Sequence, residues 1–313
     1  TIETPRKGYD SVQARRPMKL STKEALNGYL FFSPGLIGFL VFMGFPILYS
    51  LYLSFTSYNI YSPPKWVGLL NYKFMFTQDP LFYKSLGNTL YYVALSVPLN
   101  TVLGVLVAVL MNQKAFGIRV FRTIYFLPSV VSGVAVALLW QWILDGNFGL
   151  INTFLANFGI VGPGWLTDEL WSKPSMVLMN LWAVGGTMII YLAGLQGVPR
   201  SLYEAAIVDG AGKLRQFWNI TIPMLTPTIF FNVIMGVLGG FQVFIQAYIM
   251  TGGGPNNSTM FYALYLYNKA FKDLQMGYAS ALAWVLLLIA MALTLVILKT
   301  SSKWVYYEGA DSK

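Results

Sequence analysis

The chain has 313 residues, of which 56% are hydrophobic and only 11% are charged, with a mean hydropathy of +0.57. Since a soluble globular domain carries roughly 25% charged residues, a deficit of this size indicates that much of the surface faces something other than water. The absence of Cys and His excludes disulfides, thiolate nucleophiles, imidazole bases and the usual zinc ligands. A formal net charge of +9 on so apolar a chain is more typical of membrane topology than of nucleic-acid binding.

Six windows of the chain lack Asp, Glu, Lys and Arg and are long enough for a helix to cross the hydrocarbon of a bilayer. They are residues 29–55, 88–112, 123–144, 175–198, 226–250 and 277–298. Each window is too long for the buried core helix of a soluble domain. The sequence therefore predicts an all-α integral membrane protein with six transmembrane helices.

The Lys and Arg residues are distributed unevenly between the segments that join these windows. Fifteen lie on the same side as the N-terminus and six lie on the other side. Since cytoplasmic loops are the richer in Lys and Arg, both termini are expected in the cytoplasm. Residues 1–28 and 299–313 are then a cytoplasmic segment and tail, flanking a six-span domain over residues 29–298. The long outer loops carry many aromatic residues, which fit an interfacial belt, a docking face for an outside partner, or both.

The segment between the fourth and fifth windows has a helical pattern of its own. Ser201 and Glu204 have the spacing of a capping box, which predicts a short helix over residues 202–208. Ala205 and Ala206 lie on the surface of this helix, where small side chains allow a partner to approach closely.

Two glycines and two prolines punctuate the rest of this segment. Gly210 and Gly212 predict a break after the short helix, because glycine allows the tight turn at a helix end. A second amphipathic stretch follows, and Pro223 and Pro227 are expected to redirect the chain into the membrane. Residues 199–225 are thus predicted to form a protruding helix–Gly–helix elbow, the alternative being an interfacial helix that lies flat.

The elbow carries a known pattern. Glu204-Ala205-Ala206, Gly210 after three residues, and Ile220-Thr221-Ile222-Pro223 after nine more match EAA-x3-G-x9-I-x-L-P. The one departure is Ile222 where Leu is usual, a change that conserves volume. On these residues the chain resembles the membrane subunits of bacterial ATP-binding-cassette (ABC) importers. Further segments resemble the carbohydrate-uptake branch, which includes maltose and glycerol-phosphate permeases: Pro34, residues 45–46, 51–56, 66–72, 88–89, 121–128 and 253–255.

This resemblance implies the fold of the type I (MetI-like) importer permeases and a role for each residue of the pattern. The first helix of the elbow would sit in a cleft of a separate ATPase subunit. Glu204 would pair with a basic residue of that cleft, while Ala205 and Ala206 would permit the contact. Gly210 would set the bend and Asp209 would support it.

The resemblance also implies a set of partners. These are two copies of the ATPase, a second and non-identical permease subunit, a periplasmic solute-binding protein and the lipid of a bacterial inner membrane. No G-x-x-x-x-G-K-[ST] phosphate loop occurs in the sequence. ATP and Mg are therefore expected on the ATPase, and this chain is expected to bind no cofactor or metal and to be no enzyme itself.

The spans that flank the elbow are expected to line the substrate pathway. Their polar residues Asn180, Asn232, Gln242 and Gln246 fit ligand contact or interhelical hydrogen bonds. Similarity to the maltose permease implies pathway positions at Trp182, Ala183, Gly186, Gly236, Gly239, Gly240, Gln242, Val243 and Gln246. Gly236 and Gly240 also fit a small-xxx-small helix crossing. Glycine where that permease has larger side chains implies a roomier cavity, and hence an oligosaccharide.

Other cargoes and mechanisms are weighed by their charge requirements. Glycerol phosphate should be met by Arg or Lys, and the six windows offer neither, while a polyol or an acidic, alginate-type oligosaccharide remains an alternative. Ion-coupled carriers usually place Asp, Glu or His within the membrane, and the windows contain none. An importer driven by an external ATPase is the prediction that these residues favour.

Overall fold

A computed structural model describes residues 20–113 and 115–306. The regular secondary structure of these residues is helical, apart from a short antiparallel pairing of two-residue strands, β1 (Thr56–Ser57) with β2 (Lys65–Trp66). The helices are α1 Leu20–Phe39, α2 Phe45–Ser54, α3 Leu70–Thr77, α4 Pro80–Met111, α5 Ile118–Val130, α6 Gly133–Ile143, α7 Leu150–Ala156, α8 Glu169–Trp182, α9 Gly185–Gln196, α10 Arg200–Val208, α11 Lys213–Gln216, α12 Ile222–Phe241, α13 Ile245–Met250, α14 Tyr262–Tyr267 and α15 Met276–Ser301. Three π-helical turns cover Leu40–Gly44, Phe217–Thr221 and Asn268–Lys272. The predicted all-α class is confirmed.

Four helical runs of the described residues are long and apolar enough to cross a membrane: Lys23–Ser54, Pro80–Met111, Lys213–Met250 and Met276–Ser301. Two bent helix pairs raise the number of candidate spans to six if each pair is one span. This agrees with the six predicted windows. The second span begins at Pro80, eight residues before its predicted start, because the helix continues through the charged Lys84.

Both bent pairs were predicted as continuous windows. α5 and α6 meet at 99°, and α8 and α9 meet at 47°. The first bend begins at Val131, which is extended and follows α5 directly; Pro128, in the last turn of α5, lacks the backbone N–H of a regular helix. The second bend precedes Gly185, where an added Cβ would collide with the backbone of Tyr125. That close approach of α9 to α5 needs the glycine.

The expectation that Pro223 and Pro227 redirect the chain is wrong. Helix continues from the elbow into the fifth span, because the π-helical turn Phe217–Thr221 shifts the hydrogen-bond register, with the N–H of Ile222 bonded to the carbonyl of Phe217. Pro223 then occupies the first turn of α12, where a missing N–H costs little. The second arm of the elbow, from Lys213, and the fifth span are therefore one helical run, interrupted only at residues 242–244.

The chain divides into two units, Thr1–Tyr52 and Leu53–Lys313. The described part of the first unit is a single apolar helix with a π-helical turn, and its large side chains, such as Phe31 and Phe42, are exposed. The helix begins at Leu20, within residues 1–28, which were predicted as a cytoplasmic segment. Residues 1–19 of that segment and residues 307–313 of the predicted tail lie outside the described residues.

α4 is the central helix of the second unit and contacts α8, α9, α12 and α14. Small residues allow the closest approaches: a Cβ at Gly104 would lie 3.0 Å from the ring of Tyr191 on α9. Buried aliphatic and aromatic side chains fill the rest of this interface. The interface places the C-terminal half of α12 against the middle of α4, and a cavity lies beside it.

Candidate functional site: coupling elbow and central cavity

The first helix of the elbow, α10, begins at Arg200. Its N-cap is Pro199, which has the extended backbone of an N-cap and no capping side-chain hydrogen bond. The predicted capping box is therefore wrong, because Ser201 lies inside the first turn. The fixed φ of proline prepares the helix start, so a side-chain cap two residues later is not needed.

The end of α10 is a Schellman motif. The N–H of Gly210 bonds to the carbonyl of Ile207 at 3.0 Å, and the N–H of Ala211 bonds to that of Ala206 at 2.8 Å. Gly210 has a left-handed φ of 74°, and Asp209 is the C-cap before it. The predicted glycine break is present at this position, and its geometry requires glycine because a Cβ is unfavourable at such a φ.

Two hydrogen bonds hold the second arm of the elbow against the first. The hydroxyls of Tyr203 and Thr221 lie 3.0 Å apart, and the side-chain N–H of Gln216 donates to the carbonyl of Ala211 at 2.7 Å. These contacts join α10 and the turn after it to the start of the fifth span.

The exposed surface of α10 combines one carboxylate with small and large apolar side chains. Glu204 and Ala205 are exposed, whereas Ala206, which was also predicted to lie on the surface, is half-buried. The large side chains of Ile207 and Val208 are exposed, the latter by 87%. Exposed apolar side chains grouped around a protruding helix are typical of a protein–protein contact.

A cavity of about 480 Å³ lies between α4, α9 and α12. Six of the nine predicted pathway residues line it: Gly236, Gly239, Gly240, Gln242, Val243 and Gln246. Asn180 and Asn232 also line it, and none of the described lining residues is Asp, Glu, Lys or Arg. The cavity is therefore uncharged but rich in amides, which suits a ligand with hydroxyl groups.

The other three predicted pathway residues lie outside the lining. Trp182 ends α8 and packs edge-on against Trp140 at 6.0 Å between ring centroids. Ala183 is the C-cap at the α8–α9 bend, and Gly186 lies near Ser129 of α5. Their place in a substrate pathway stays a prediction.

The three glycines of α12 have different neighbours. A Cβ at Gly236 would lie 3.4 Å from Val97, and one at Gly240 would lie 2.7 Å from Val93, both on α4. A Cβ at Gly239 would meet nothing within 4 Å. Gly236 and Gly240 thus allow the helix crossing, while Gly239 leaves the cavity wide.

Sequence reasoning missed the contribution of α4 to this cavity. Tyr92, Ser96 and Asn100 recur every four residues and line it together with Thr101. Asn100 donates to Asn180 at 3.1 Å and accepts from the hydroxyl of Thr187 at 2.9 Å. The four-residue spacing of polar side chains in an uncharged span was the available signal, since such spacing marks one helix face.

On the face opposite the elbow, a loop over residues 251–261 is held by side chains of α4 and α8. The side-chain amide of Asn88 donates to the carbonyls of Asn257 and Met260 at 2.9 and 3.1 Å. The ammonium of Lys173 donates to Asn88 at 3.2 Å, and the N–H of Tyr262 donates to Thr89 at 2.8 Å. This end of the bundle is therefore tied together by hydrogen bonds.

Asp79 is a buried carboxylate at the same end. It caps α4 through the N–H groups of Leu81 and Phe82, at 3.0 and 3.2 Å, and accepts hydrogen bonds from the hydroxyls of Tyr265 and Tyr278. Burial raises the pKa of Tyr265 above its ordinary value, and the nearby carboxylate raises that pKa further. Tyr265 therefore stays a neutral hydrogen-bond donor.

A bundle of candidate spans with a protruding elbow at one end and an uncharged cavity between its helices defines a membrane permease. Residues 100–307 match the family described as binding-protein-dependent transport system inner membrane component. The chain is 45% identical to the probable ABC transporter permease protein YesP of Bacillus subtilis, over 97% of this chain and 98% of that one. It is 38% identical to the lactose transport system permease protein LacF of Rhizobium radiobacter, over 86% and 92%.

A solved structure shares this fold. A crystal structure of a bacterial ABC transporter that imports the acidic polysaccharide alginate contains a chain that is 25% identical, with a TM-score of 0.79, over 90% of this chain and 97% of that one. This chain belongs to the binding-protein-dependent transport system inner membrane component family. It is a multi-pass permease subunit of an ABC importer, as the pattern in the elbow predicted.

Proposed function

We propose that this permease carries a carbohydrate, an oligosaccharide, from a periplasmic solute-binding protein into the cytoplasm. The observation that carries the proposal is an uncharged, amide-lined cavity whose wall is the helix that begins in the elbow. The lactose permease relative and the alginate importer support a sugar as cargo.

Sugar hydroxyls both donate and accept hydrogen bonds, as do the amides of Gln242 and Gln246 in the cavity. A phosphate group would need Arg or Lys, and the described lining contains neither. A neutral sugar is therefore favoured over glycerol phosphate in the cavity itself.

The energy for transport comes from an ATPase bound to α10. The exposed Glu204, Ala205, Ile207 and Val208 form the contact surface, and the ATPase, in two copies, holds ATP and Mg. A second, related permease subunit completes the complex, because one elbow serves one ATPase. The elbow face lies in the cytoplasm together with both termini, in agreement with the excess of Lys and Arg on that side.

Motion reaches the cavity along a short path. The hydroxyls of Tyr203 and Thr221 join α10 to the π-helical turn. From that turn, α12 continues through Gly239 to its C-cap, Gln242, and both residues line the cavity. Closure of the ATPases would move the elbow and reorient this wall against α4. The glycine contacts with Val93 and Val97 allow close packing in one arrangement of the two helices.

The test is ATP-driven uptake by the complete transporter in proteoliposomes. The cargo panel contains a neutral disaccharide, neutral and acidic oligosaccharides, and glycerol phosphate. The proposal expects uptake of an oligosaccharide that requires ATP, the ATPase and the binding protein. Uptake that follows an ion gradient without the ATPase, or transport of glycerol phosphate alone, would overturn it.

A further inference from the structure

Four aromatic side chains form a continuous row of ring contacts that starts at the cavity. Phe244 and Tyr248 stack at 5.4 Å between ring centroids, and Tyr267 contacts both, at 4.8 and 5.6 Å. Phe271 follows Tyr267 at 5.2 Å. We name these four residues the aromatic track.

The inner end of the track is part of the cavity wall, because Phe244 lines the cavity beside Gln242 and Gln246. From there the track leads away from the elbow, one helical turn along the fifth span to Tyr248 and then to the π-helical turn that carries Phe271. Tyr248 is 41% exposed and Phe271 is 60% exposed. Tyr248 and Phe271 therefore lie on the surface of this chain, whereas the aromatic side chains of the core are buried.

An interfacial belt accounts for scattered aromatic side chains but not for this arrangement. In the track, two pairs at i and i+4 on neighbouring segments meet ring to ring and lead into an amide-lined cavity. Pyranose rings present C–H faces that pack on aromatic rings, while their hydroxyls bond to amides and water. Both kinds of contact are available in succession here.

We propose that the aromatic track binds an extended oligosaccharide and leads it into the central cavity. The proposal rests on the function proposed above and adds a second binding surface, outside the cavity, for that substrate. A chain of several sugar units would contact the track and the cavity together, so affinity would rise with chain length.

One cation stands beside the track. The ammonium of Lys272 lies 5.4 Å from the ring centroid of Tyr248, and among the described residues it forms no salt bridge. Lys269, by contrast, is paired with Asp273 at 2.8 Å. The ammonium of Lys272 can therefore bind a carboxylate on a sugar unit at Tyr248. Acidic oligosaccharides would gain affinity from this contact, and neutral ones would not.

The test measures binding to the complete transporter in nanodiscs by calorimetry. The probes are two ladders, maltodextrins and alginate oligosaccharides, each from disaccharide to hexasaccharide. We expect affinity to rise with length in at least one ladder. The Tyr248→Ala variant should lose about tenfold for the long members and little for the disaccharide, because one stacking surface is removed.

Two controls separate stacking from general damage. Tyr248→Phe keeps the ring and should bind as the wild type does. Tyr61→Ala removes an equally aromatic side chain that is 82% exposed and lies outside the track and the cavity, and it should also bind normally. In the Lys272→Gln variant, a loss confined to the alginate ladder supports recognition of a carboxylate by Lys272.

The proposal is overturned if Tyr248→Ala binds every probe as the wild type does, if Tyr61→Ala loses as much affinity, or if neither ladder shows length-dependent binding. If one of these results is found while ATP-driven sugar uptake persists, only the role of the aromatic track is rejected. Absence of uptake for every sugar would instead remove the proposed function.

Discussion

The side-chain amide of Asn100 donates a hydrogen bond of 3.1 Å to the side-chain oxygen of Asn180, eighty residues away in the chain. The hydroxyl of Thr187 donates a hydrogen bond of 2.9 Å to the side-chain oxygen of Asn100. Three polar groups that would be costly in lipid are thus partnered on the wall of the cavity.

The Asn100→Leu change tests whether this network stabilises the bundle. We expect it to lower the free energy of unfolding by about 1 kcal/mol, because interhelical hydrogen bonds in membranes contribute roughly that much. The measurement is denaturant unfolding in detergent micelles, completed as a double-mutant cycle with Asn180→Leu. Strictly additive losses would show that the two amides do not interact.

Gly239 and Gly240 are neighbours with opposite roles, so they form a matched pair. Gly240→Ala should cost about 1–3 kcal/mol of unfolding free energy, since its Cβ would lie 2.7 Å from Val93. Gly239→Leu has open space around it and should leave stability unchanged while narrowing the cavity. In vesicle uptake assays, Gly239→Leu should slow an oligosaccharide more than a monosaccharide. Equal slowing of both cargoes would contradict this assignment.

Gly210→Val should uncouple ATP hydrolysis from uptake. A Cβ at Gly210 meets nothing within 4 Å, so the cost is the left-handed backbone, about 1–2 kcal/mol. The strain would unwind the end of α10 and displace the surface that we propose contacts the ATPase. Transport and ATPase activity are measured together in proteoliposomes.

Gly212→Val is the control for that experiment. Gly212 has a φ of −67° and an equally open surrounding, so valine is tolerated there. Coupling should persist in this variant. Normal transport by Gly210→Val would contradict the role of the bend.

Asp79→Asn should destabilise the end of the bundle opposite the elbow. Asparagine keeps the cap on α4 but removes one of the two oxygens that accept hydrogen bonds. Both tyrosine hydroxyls donate to the same oxygen of Asp79, so replacing that oxygen by an amide nitrogen removes the acceptor of both, at about 1–3 kcal/mol each. Thermal unfolding of the purified protein measures the loss, and Tyr265→Phe in the Asp79→Asn background should recover part of it. No recovery would show that Tyr265 does not depend on Asp79.

The raised pKa of Tyr265 predicts a loss of stability at alkaline pH. The folded pKa lies above the unfolded value of about 10, so the contribution is fully present below pH 10 and is lost as the pH rises through the folded pKa. We expect the melting temperature to fall above about pH 10, and to fall less in Tyr265→Phe. An identical pH profile for the two proteins would contradict the prediction.

The elbow shows how far sequence reasoning reached. The pattern from Glu204 to Pro223 placed a helix, a glycine break and a second helix correctly, because helix propensity and glycine at a C-terminus are local properties. The start of α10 and the effect of the prolines were wrong. Pro199 is the N-cap of α10 in place of a capping side chain, and the π-helical turn places Pro223 in the first turn of α12. Both features depend on backbone geometry that residue spacing does not reveal.

The sequence by itself determined that this is a helical membrane protein that resembles ABC importer permeases. Charged residues are costly in hydrocarbon, so six windows without them predict the spans, and the pattern from Glu204 to Pro223 indicates the family. Only the tertiary structure decided what the polar and small residues do. Periodicity shows which residues share a helix face but not which helix that face meets, so the pairing of Asn100 with Asn180 and the contacts of Gly236 and Gly240 with α4 appear only when the helices are packed.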